Sequence, residues 1–131
     1  MISFEVSTRS RIEFIDITAK INQIIQKNSI SEGICVIFVP HTTAAITINE
    51  KADPAVVKDI IKYLNKTIPK DGDYRHIESN SDAHIKSTLI GNSQSIAIHN
   101  SNLALGTWQG IYFCEFDGPR RRKVWVETVS V

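Results

Sequence analysis

The four histidines of the chain are the residues most able to do chemistry. They form no HExxH pattern and no closely spaced ligand pair, so their spacing alone specifies no zinc site. His41 follows a predicted strand, His76 lies in a polar loop, and His84 opens a predicted helix, whose N-terminal dipole favours an anion or a metal-bound hydroxide. His99, within IAIHN, is more typical of an ordinary strand residue. We predict that the first three converge on one site for a divalent metal, zinc or magnesium, or for an anion.

Hydroxyl and carboxyl groups follow the first histidine along the chain. Thr42 and Thr43 can bind phosphate oxygens or orient a water molecule, although capping and β-propensity alone would also explain them. Asp53 can ligate a magnesium ion that bridges to substrate phosphates, or it can simply cap a helix that begins at Pro54. Both interpretations of Asp53 stay open.

Two glycines flank a tryptophan and an amide in the segment Gly106-Thr107-Trp108-Gln109-Gly110. Glycines permit close approach of the backbone, and Trp108 and Gln109 offer a flat surface and a two-sided hydrogen-bonding group to a heterocycle. The alternative is a β-bulge with a tryptophan in the core. The basic run at 120–123 is most simply a solvated hairpin, from which one arginine can reach a phosphate.

Strands at both ends of the chain and helices between them must position these residues. Alternation or continuous β-branched runs predict strands, and apolar residues at helical spacing after a capping residue predict helices. The class is α+β, with a largely antiparallel, sandwich-like β-sheet and about three helices. Strand 43–49 is predicted as a partner of 33–39, and Asp117-Gly118-Pro119 as a hairpin turn. The predicted strands are 2–8, 33–39, 43–49, 94–99, 107–116 and 122–130, and the predicted helices are 16–28, 54–68 and about 81–91.

Length and composition bound the remaining possibilities. A chain of 131 residues, 42% hydrophobic and 22% charged, is expected to form one domain over residues 1–131. A net charge of +1 provides no field that would gather nucleic acid or an anionic membrane. No stretch approaches the roughly 20 apolar residues of a membrane span, and no export signal stands at the start. Cys35 and Cys114 lie in apolar runs, so we expect a soluble, cytoplasmic protein with reduced, buried thiols.

Four segments together resemble one known family. No GxSxG elbow, Walker phosphate loop or GxGxxG occurs, which disfavours a serine hydrolase, a P-loop nucleotidase and a Rossmann dehydrogenase. The segments PHTTAAITINEKADP, YRH, DAHIKSTLIGNS and GTWQGIYFCEF, in this order, resemble the YjbQ family of small bacterial and archaeal proteins. The resemblance runs over essentially the whole chain.

The resemblance implies a β-rich homotrimer with a pocket near the subunit contacts. It implies the activity of a secondary thiamine-phosphate synthase, a transferase that joins a hydroxymethylpyrimidine diphosphate to a thiazole phosphate and releases pyrophosphate. It places Trp108 near the pocket, and Lys86 is a further cation for the leaving group. The site residues so predicted are His41, His76 and His84 as metal ligands, His41, His84 and Glu50 as catalytic residues, and Thr42, Thr43, Asn49, Lys86, Thr107, Trp108 and Gln109 as substrate contacts.

Two other functions stay open for the same residues. A metal-dependent phosphate-ester hydrolase could use the three histidines and a water molecule. A non-catalytic trimer could bind a metabolite without transforming it. The expected partner is in each case a small phosphorylated metabolite, and neither nucleic acid nor a membrane.

Overall fold

The chain forms three helices and eight strands joined by loops. The computed structural model describes all residues from 1 to 131. No helix combines the length and the apolar character that crossing a membrane requires. In chain order the elements are β1 (Ile2–Ser7), β2 (Glu13–Asp16), α1 (Thr18–Lys27), β3 (Gly33–Phe38), β4 (Ala44–Glu50), α2 (Pro54–Thr67), α3 (Ser81–Ile90), β5 (Ser93–His99), β6 (Asn102–Leu103), β7 (Gln109–Glu115) and β8 (Arg121–Ser130).

The strands form two antiparallel sheets. The larger sheet has the order β1-β8-β3-β5-β6, and the smaller has the order β2-β7-β4. Every pair of neighbouring strands is antiparallel. The predicted class is therefore confirmed: an α+β fold with antiparallel, sandwich-like β structure and three helices.

The smaller sheet is the middle layer of the molecule. One side packs on the larger sheet and α1, in a cluster of 18 buried residues that includes Ile37, Ile46 and Phe113. Its other side packs on α2 and α3 through a second cluster of 7 buried residues. Because both faces are covered, β7 is buried at each position from Gly110 to Glu115, as expected of a strand that has no solvent side.

Polar side chains and a glycine define the helix ends. Asp53 Oδ1 accepts a hydrogen bond from the Ala55 N–H at 2.9 Å, and a proline begins α2, so Asp53 serves as the N-cap. Asp16 accepts the N–H of Thr18 at 2.9 Å, which places the start of α1 two residues after the predicted one. Gly91 follows α3 with a φ of +95°, a conformation that favours glycine.

Both predicted pairings of consecutive strands are wrong. β4 pairs with β7 in the smaller sheet, whereas β3 lies between β8 and β5 in the larger one. β7 and β8 also belong to different sheets, so Asp117-Gly118-Pro119 carries the chain from one sheet to the other. A Cβ at Gly118 would collide with the Ser10 carbonyl and with Thr8 Oγ1. Turn residues predict that the chain reverses here, but not which sheet it then joins.

The two cysteines are packing residues. Cys35 and Cys114 are both buried and free, as predicted. Burial raises the pKa of Cys35 to about 11 and also raises the pKa of Cys114. Both thiols therefore stay protonated at neutral pH and behave as small apolar side chains.

Candidate functional site

Three connections between elements meet beside the larger and smaller sheets. They are residues 39–43 between β3 and β4, residues 91–92 between α3 and β5, and residues 116–120 between β7 and β8. The Val39 N–H donates to the Asn92 carbonyl at 2.8 Å, and a second backbone bond of 3.2 Å joins the first connection to the third. A cleft opens where these connections meet, and its walls combine loop residues with residues of α3 and β8.

The cleft has two chambers that share a wall. The arginine chamber has a volume of about 480 Å³, and its polar lining is His41, Thr42, Thr43, Asn92, Arg120 and Arg122. The histidine chamber has a volume of about 290 Å³, and its polar lining is His41, Thr42, His84, Ser87, Thr88 and Asn92. No carboxylate lines either chamber. Cationic and neutral donors without acidic neighbours in the lining favour an anionic ligand.

A separate groove lies between β1 and α1. Its volume is about 510 Å³, close to that of the arginine chamber, and Lys20 and Lys27 are its charged residues. It contains no histidine and none of the predicted site residues. The cleft is therefore the candidate functional site.

His41 is held by the backbone of β8. Its Nε2 accepts the Lys123 N–H at 2.9 Å. Burial and then the positive charge of Arg122 lower the pKa of His41 below its ordinary value, so the ring is neutral at neutral pH. A neutral imidazole that accepts at Nε2 carries its proton on Nδ1. His41 therefore provides the cleft with a neutral Nδ1–H donor whose ring orientation is fixed.

His84 and His76 form an edge-to-face pair. His84 lines the histidine chamber from α3. The ring centroid of His76 lies 5.3 Å from that of His84, with the ring planes at 90°. His76 Nε2 is also 3.8 Å from Glu78 Oε2. The structure thus brings His41 and His84 to one chamber and places His76 against His84, outside the chamber lining.

The three histidines do not form a metal site within one chain. No group of three or more His, Cys, Asp or Glu side chains is placed to hold a metal ion. The Nε2 lone pair of His41 is taken by the Lys123 N–H, and its Nδ1 carries the proton, so neither nitrogen is free to ligate. The donors of this chain do not fit the predicted zinc or magnesium ion, whereas they fit an anion.

A buried ion pair stands beside the arginine chamber. Arg122 is 3% exposed and Glu115 is fully buried. Arg122 Nε donates to Glu115 Oε1 at 2.8 Å, and Nη2 donates to Glu115 Oε2 and to Thr43 Oγ1. Thr8 Oγ1 donates to Glu115 Oε1 at 2.8 Å. Thr43, a predicted substrate contact, therefore uses its hydroxyl to hold Arg122.

Arg120 lines the same chamber and is held by Asp117. Its Nε donates to the Asp117 carbonyl at 2.9 Å, and its Nη2 donates to Asp117 Oδ2 at 3.0 Å. Asn80 Nδ2 also donates to Asp117 Oδ2, at 2.8 Å, and Arg11 Nε lies 4.0 Å from Oδ1. Asp117 thus fixes a guanidinium that is 49% exposed.

Lys86 does not reach the cleft. Its side chain is 1% exposed, and its Nζ donates to Asp82 Oδ2 at 3.0 Å and to Asn65 Oδ1 at 2.8 Å. Arg11 donates to both oxygens of Asp82, at 3.2 and 2.9 Å. Residues two apart on a helix face different directions, so Lys86 cannot share the face of His84. This placement contradicts the predicted role of Lys86 in substrate binding.

The buried carboxylates should make the protein sensitive to acid. Burial alone would raise the pKa values of Asp82 and Glu115, but hydrogen bonds from Arg11 and Lys86 to the first, and from Arg122 to the second, hold both below their ordinary values. Such groups stabilise the fold fully above their unfolded pKa, and that stabilisation is lost as pH falls through the folded pKa. We expect the free energy of unfolding in urea to be nearly constant down to about pH 5 and to fall below it. A free energy of unfolding that stays constant down to about pH 3 would contradict this.

The remaining predicted site residues lie at the other end of β4. His41 precedes the first residue of that strand, whereas Glu50 is its last, about 20 Å along the strand. Glu50 pairs with Gln109 of β7, and its Oε2 accepts the Ala52 N–H at 3.0 Å. Trp108 is 64% exposed. Within one chain, none of the following lines the cleft, contrary to the prediction: Asn49, Glu50, Thr107, Trp108 and Gln109.

Five polar residues of the cleft lining are absent from the predicted set: Ser87, Thr88, Asn92, Arg120 and Arg122. Ser87 lies three positions after His84, one turn further along the same face of α3, and its Oγ donates to the Ala44 carbonyl at 2.7 Å. Asn92 follows Gly91, where α3 ends and the chain turns into β5. Helical spacing from His84 could have identified Ser87, and the predicted helix end could have drawn attention to Asn92.

The chain is similar to proteins of one family over nearly its whole length. The family model described as UPF0047 protein YjbQ-like matches residues 2–131. A UPF0047 protein of Methanocaldococcus jannaschii is 52% identical over 130 residues, which are 99% of this chain and 94% of that protein. UPF0047 protein YugU of Bacillus subtilis is 46% identical over 129 residues, 98% of each chain. A crystal structure of an uncharacterized conserved protein of the YjbQ/UPF0047 family from Clostridium acetobutylicum has a TM-score of 0.96 at 53% identity, covering 98% of this chain and 100% of that one.

Proposed function

Because the chain belongs to the UPF0047 YjbQ-like family, we propose that it has the activity implied by the resemblance to that family. It is a transferase of the thiamine-phosphate synthase type, which joins a hydroxymethylpyrimidine diphosphate to a thiazole phosphate. The observation that carries this proposal is the two-chambered cleft, where Arg120, Arg122, His41 and His84 line one space without a carboxylate. That lining suits substrates that carry phosphate groups.

The reaction depends mainly on stabilising a leaving group. A bond forms between the thiazole nitrogen and the methylene carbon of the pyrimidine, while the carbon–oxygen bond breaks and its electron pair leaves with pyrophosphate. The attacking nitrogen carries no proton, so this step requires no general base. Arg120 and the Nδ1–H of His41 stabilise the charge that develops on the departing oxygen. His84 and Thr88 line the adjoining chamber, where the organic parts of the two substrates meet.

One activity panel separates this proposal from its alternatives. A phosphate-ester hydrolase would release phosphate from p-nitrophenyl phosphate without a second substrate, and a binding protein would convert nothing. The proposed transferase forms thiamine phosphate, detected by mass spectrometry, only when both precursors are present. Parallel reactions with chelator-treated protein and elemental analysis test whether a metal takes part. Release of phosphate from simple esters without formation of thiamine phosphate would favour the hydrolase.

We also propose that the working unit is a homotrimer. Large apolar side chains are exposed in the segments that carry predicted site residues: Ile77, next to His76, is 93% exposed, Leu89 of α3 is 66% exposed, and Trp108 is 64% exposed. Exposed apolar side chains of this size can be covered by an interface between subunits. In a closed ring, the Trp108 end of each subunit would meet the His84 end of the next, forming three equivalent sites.

Subunit mixing tests that arrangement. His84→Ala and Gln109→Ala proteins should each lose transferase activity, because each disables one half of every site. In trimers co-expressed from both variants, about a quarter of the sites combine two intact halves, so about a quarter of the wild-type activity should return. Light scattering should give three times the mass of the chain. A monomer at micromolar concentration, or mixed trimers without activity, would contradict the shared site.

The proposed location is the cytoplasm. Cys35 and Cys114 are free thiols, which agrees with a reducing compartment. The formal net charge of +1 offers no general attraction to nucleic acid, so the partners are small phosphorylated metabolites.

A further inference from the structure

Arg122 has an unused donor even though its side chain is almost completely buried. The side chain is 3% exposed. Its Nε and Nη2 donate to Glu115 and Thr43, whereas its Nη1 donates to no group of the chain. Asn80 Oδ1 is the one buried side-chain nitrogen or oxygen without a hydrogen-bond partner, so Nη1 of Arg122 is accessible from the solvent side and free to donate to a ligand. Because Arg122 lines the arginine chamber, an acceptor bound in the chamber can satisfy it.

Arg120 presents a second guanidinium to the same chamber. Its Nε and Nη2 are engaged by Asp117, and its Nη1 likewise has no partner in the chain. Arg120 lies in the bend before β8 and Arg122 in the strand itself, and both side chains line the arginine chamber. Because carboxylates already hold both guanidinium groups, binding a ligand would cost little further side-chain entropy.

Neutral donors complete the chamber. His41 contributes its Nδ1–H, and Thr42 and Asn92 contribute a hydroxyl and an amide. The lowered pKa of His41 has burial as its main cause and the charge of Arg122 as the next, and Arg120 contributes in the same direction. The buried Glu115 carboxylate acts in the opposite direction on the pKa of His41, but the net shift is downward. No carboxylate lines the chamber itself.

We propose that the arginine chamber binds the diphosphate group of the substrate. Its oxygens accept hydrogen bonds from Nη1 of Arg120, from Nη1 of Arg122 and from Nδ1 of His41, while the organic part extends into the histidine chamber. Two guanidinium groups and an imidazole can donate hydrogen bonds to oxygens of two phosphate groups. A single phosphate group would not require so many donors. The identity of the organic part rests on the proposed function, but the recognition of phosphate oxygens does not.

Calorimetric titration with inorganic pyrophosphate tests the proposal directly. The protein is compared with an Arg120→Ala variant and with an Arg121→Ala control. Arg121 is the neighbouring residue, exposed and outside the chamber lining, and its replacement removes the same charge. We expect Arg120→Ala to raise the Kd for pyrophosphate by about 10- to 100-fold, and Arg121→Ala to change it by no more than about twofold.

Further measurements show whether a loss of pyrophosphate affinity comes from the guanidinium group of Arg120 and not from misfolding. Arg120 is half exposed, so its variants should fold, and thermal unfolding of each checks this. Arg120→Lys keeps the charge without the planar edge and should recover only part of the affinity. Absence of saturable pyrophosphate binding, or equal weakening by Arg120→Ala and Arg121→Ala, would overturn the proposal. Pyrophosphate binding through Arg120 in a protein that forms no thiamine phosphate would count against the proposed function alone.

Discussion

A Glu115→Ala protein is expected to lose about 3–5 kcal/mol of its free energy of unfolding. Glu115 is fully buried and accepts hydrogen bonds from Arg122, from Thr8 and from the backbone N–H of Asp117. Its removal leaves the guanidinium of Arg122 buried without a counter-charge, and the vacated volume adds to the loss. Unfolding in urea at pH 7, followed by tryptophan fluorescence, measures the difference.

Two further variants isolate the cause. Glu5 lies exposed on β1, and Glu5→Ala should change the free energy of unfolding by no more than about 0.5 kcal/mol. Replacing both members of the pair, as Glu115→Leu with Arg122→Met, should recover part of the loss because no charge stays buried alone. All proteins are compared at one concentration, since oligomers gain apparent stability with concentration. A loss below about 1 kcal/mol for Glu115→Ala would show that the pair behaves as an exposed one.

Replacing His41 with alanine is expected to lower kcat of the proposed transferase by about 100- to 1,000-fold. The Nδ1–H of His41 is a fixed donor in the cleft, since Nε2 is anchored by the Lys123 N–H at 2.9 Å. A donor that is already oriented stabilises developing negative charge without reorganisation, so its loss reduces the rate more than it weakens ground-state binding. Steady-state kinetics with both precursors measures kcat and KM separately.

The matched variants distinguish this donor from other roles of the ring. His41→Asn keeps an N–H near the position of Nδ1 and should recover part of the rate. His99, exposed on β5 and paired with Glu32 at 2.9 Å, is outside the cleft, so His99→Ala should keep full activity. Equal rates for His41→Ala and the unmodified protein would remove His41 from the reaction. An Asn variant as slow as the Ala variant would show that the N–H is not what His41 contributes.

Most elements can be predicted from the sequence because their signals are local. The N-cap Asp53, the proline after it and the apolar stripe of α2 all fall within about four turns of one helix. β2 and β6 escape prediction because they have only 4 and 2 residues, too few for a period to appear. β2 and β6 are strands because they pair with β7 and β5, and this long-range pairing cannot be predicted from the local sequence.

The candidate site shows the same division between local and distant information. His41 and His84 are predictable because each stands at the end of an element, where side chains meet solvent. Lys86 is predicted to be a cation for the leaving group, but its side chain is buried and bound to Asp82, a contact that its residue type does not reveal. The pairing of Arg122 with Glu115 joins the two sheets across a connection and has no local signal.

The segment from Gly106 to Gly110 lies away from the cleft within one chain, and the reason why the sequence predicts otherwise is different. It is distinctive in sequence, so it is readily included among the site residues, but its position depends on β7 pairing with β4. That pairing places Gln109 opposite Glu50, at the end of β4 remote from His41. Only a neighbouring subunit could bring this segment to the cleft, and neither spacing nor composition reveals such a contact.

A structure of the protein with hydroxymethylpyrimidine diphosphate bound is the most direct test of the cleft as the site that takes a phosphorylated substrate. We expect the two phosphate groups in the arginine chamber, within hydrogen-bond distance of Arg120, Arg122 and His41 Nδ1, and the methylene carbon directed towards His84. Ligand bound instead in the groove between β1 and α1, or an arginine chamber that stays free of ligand at saturating concentration, would contradict this assignment.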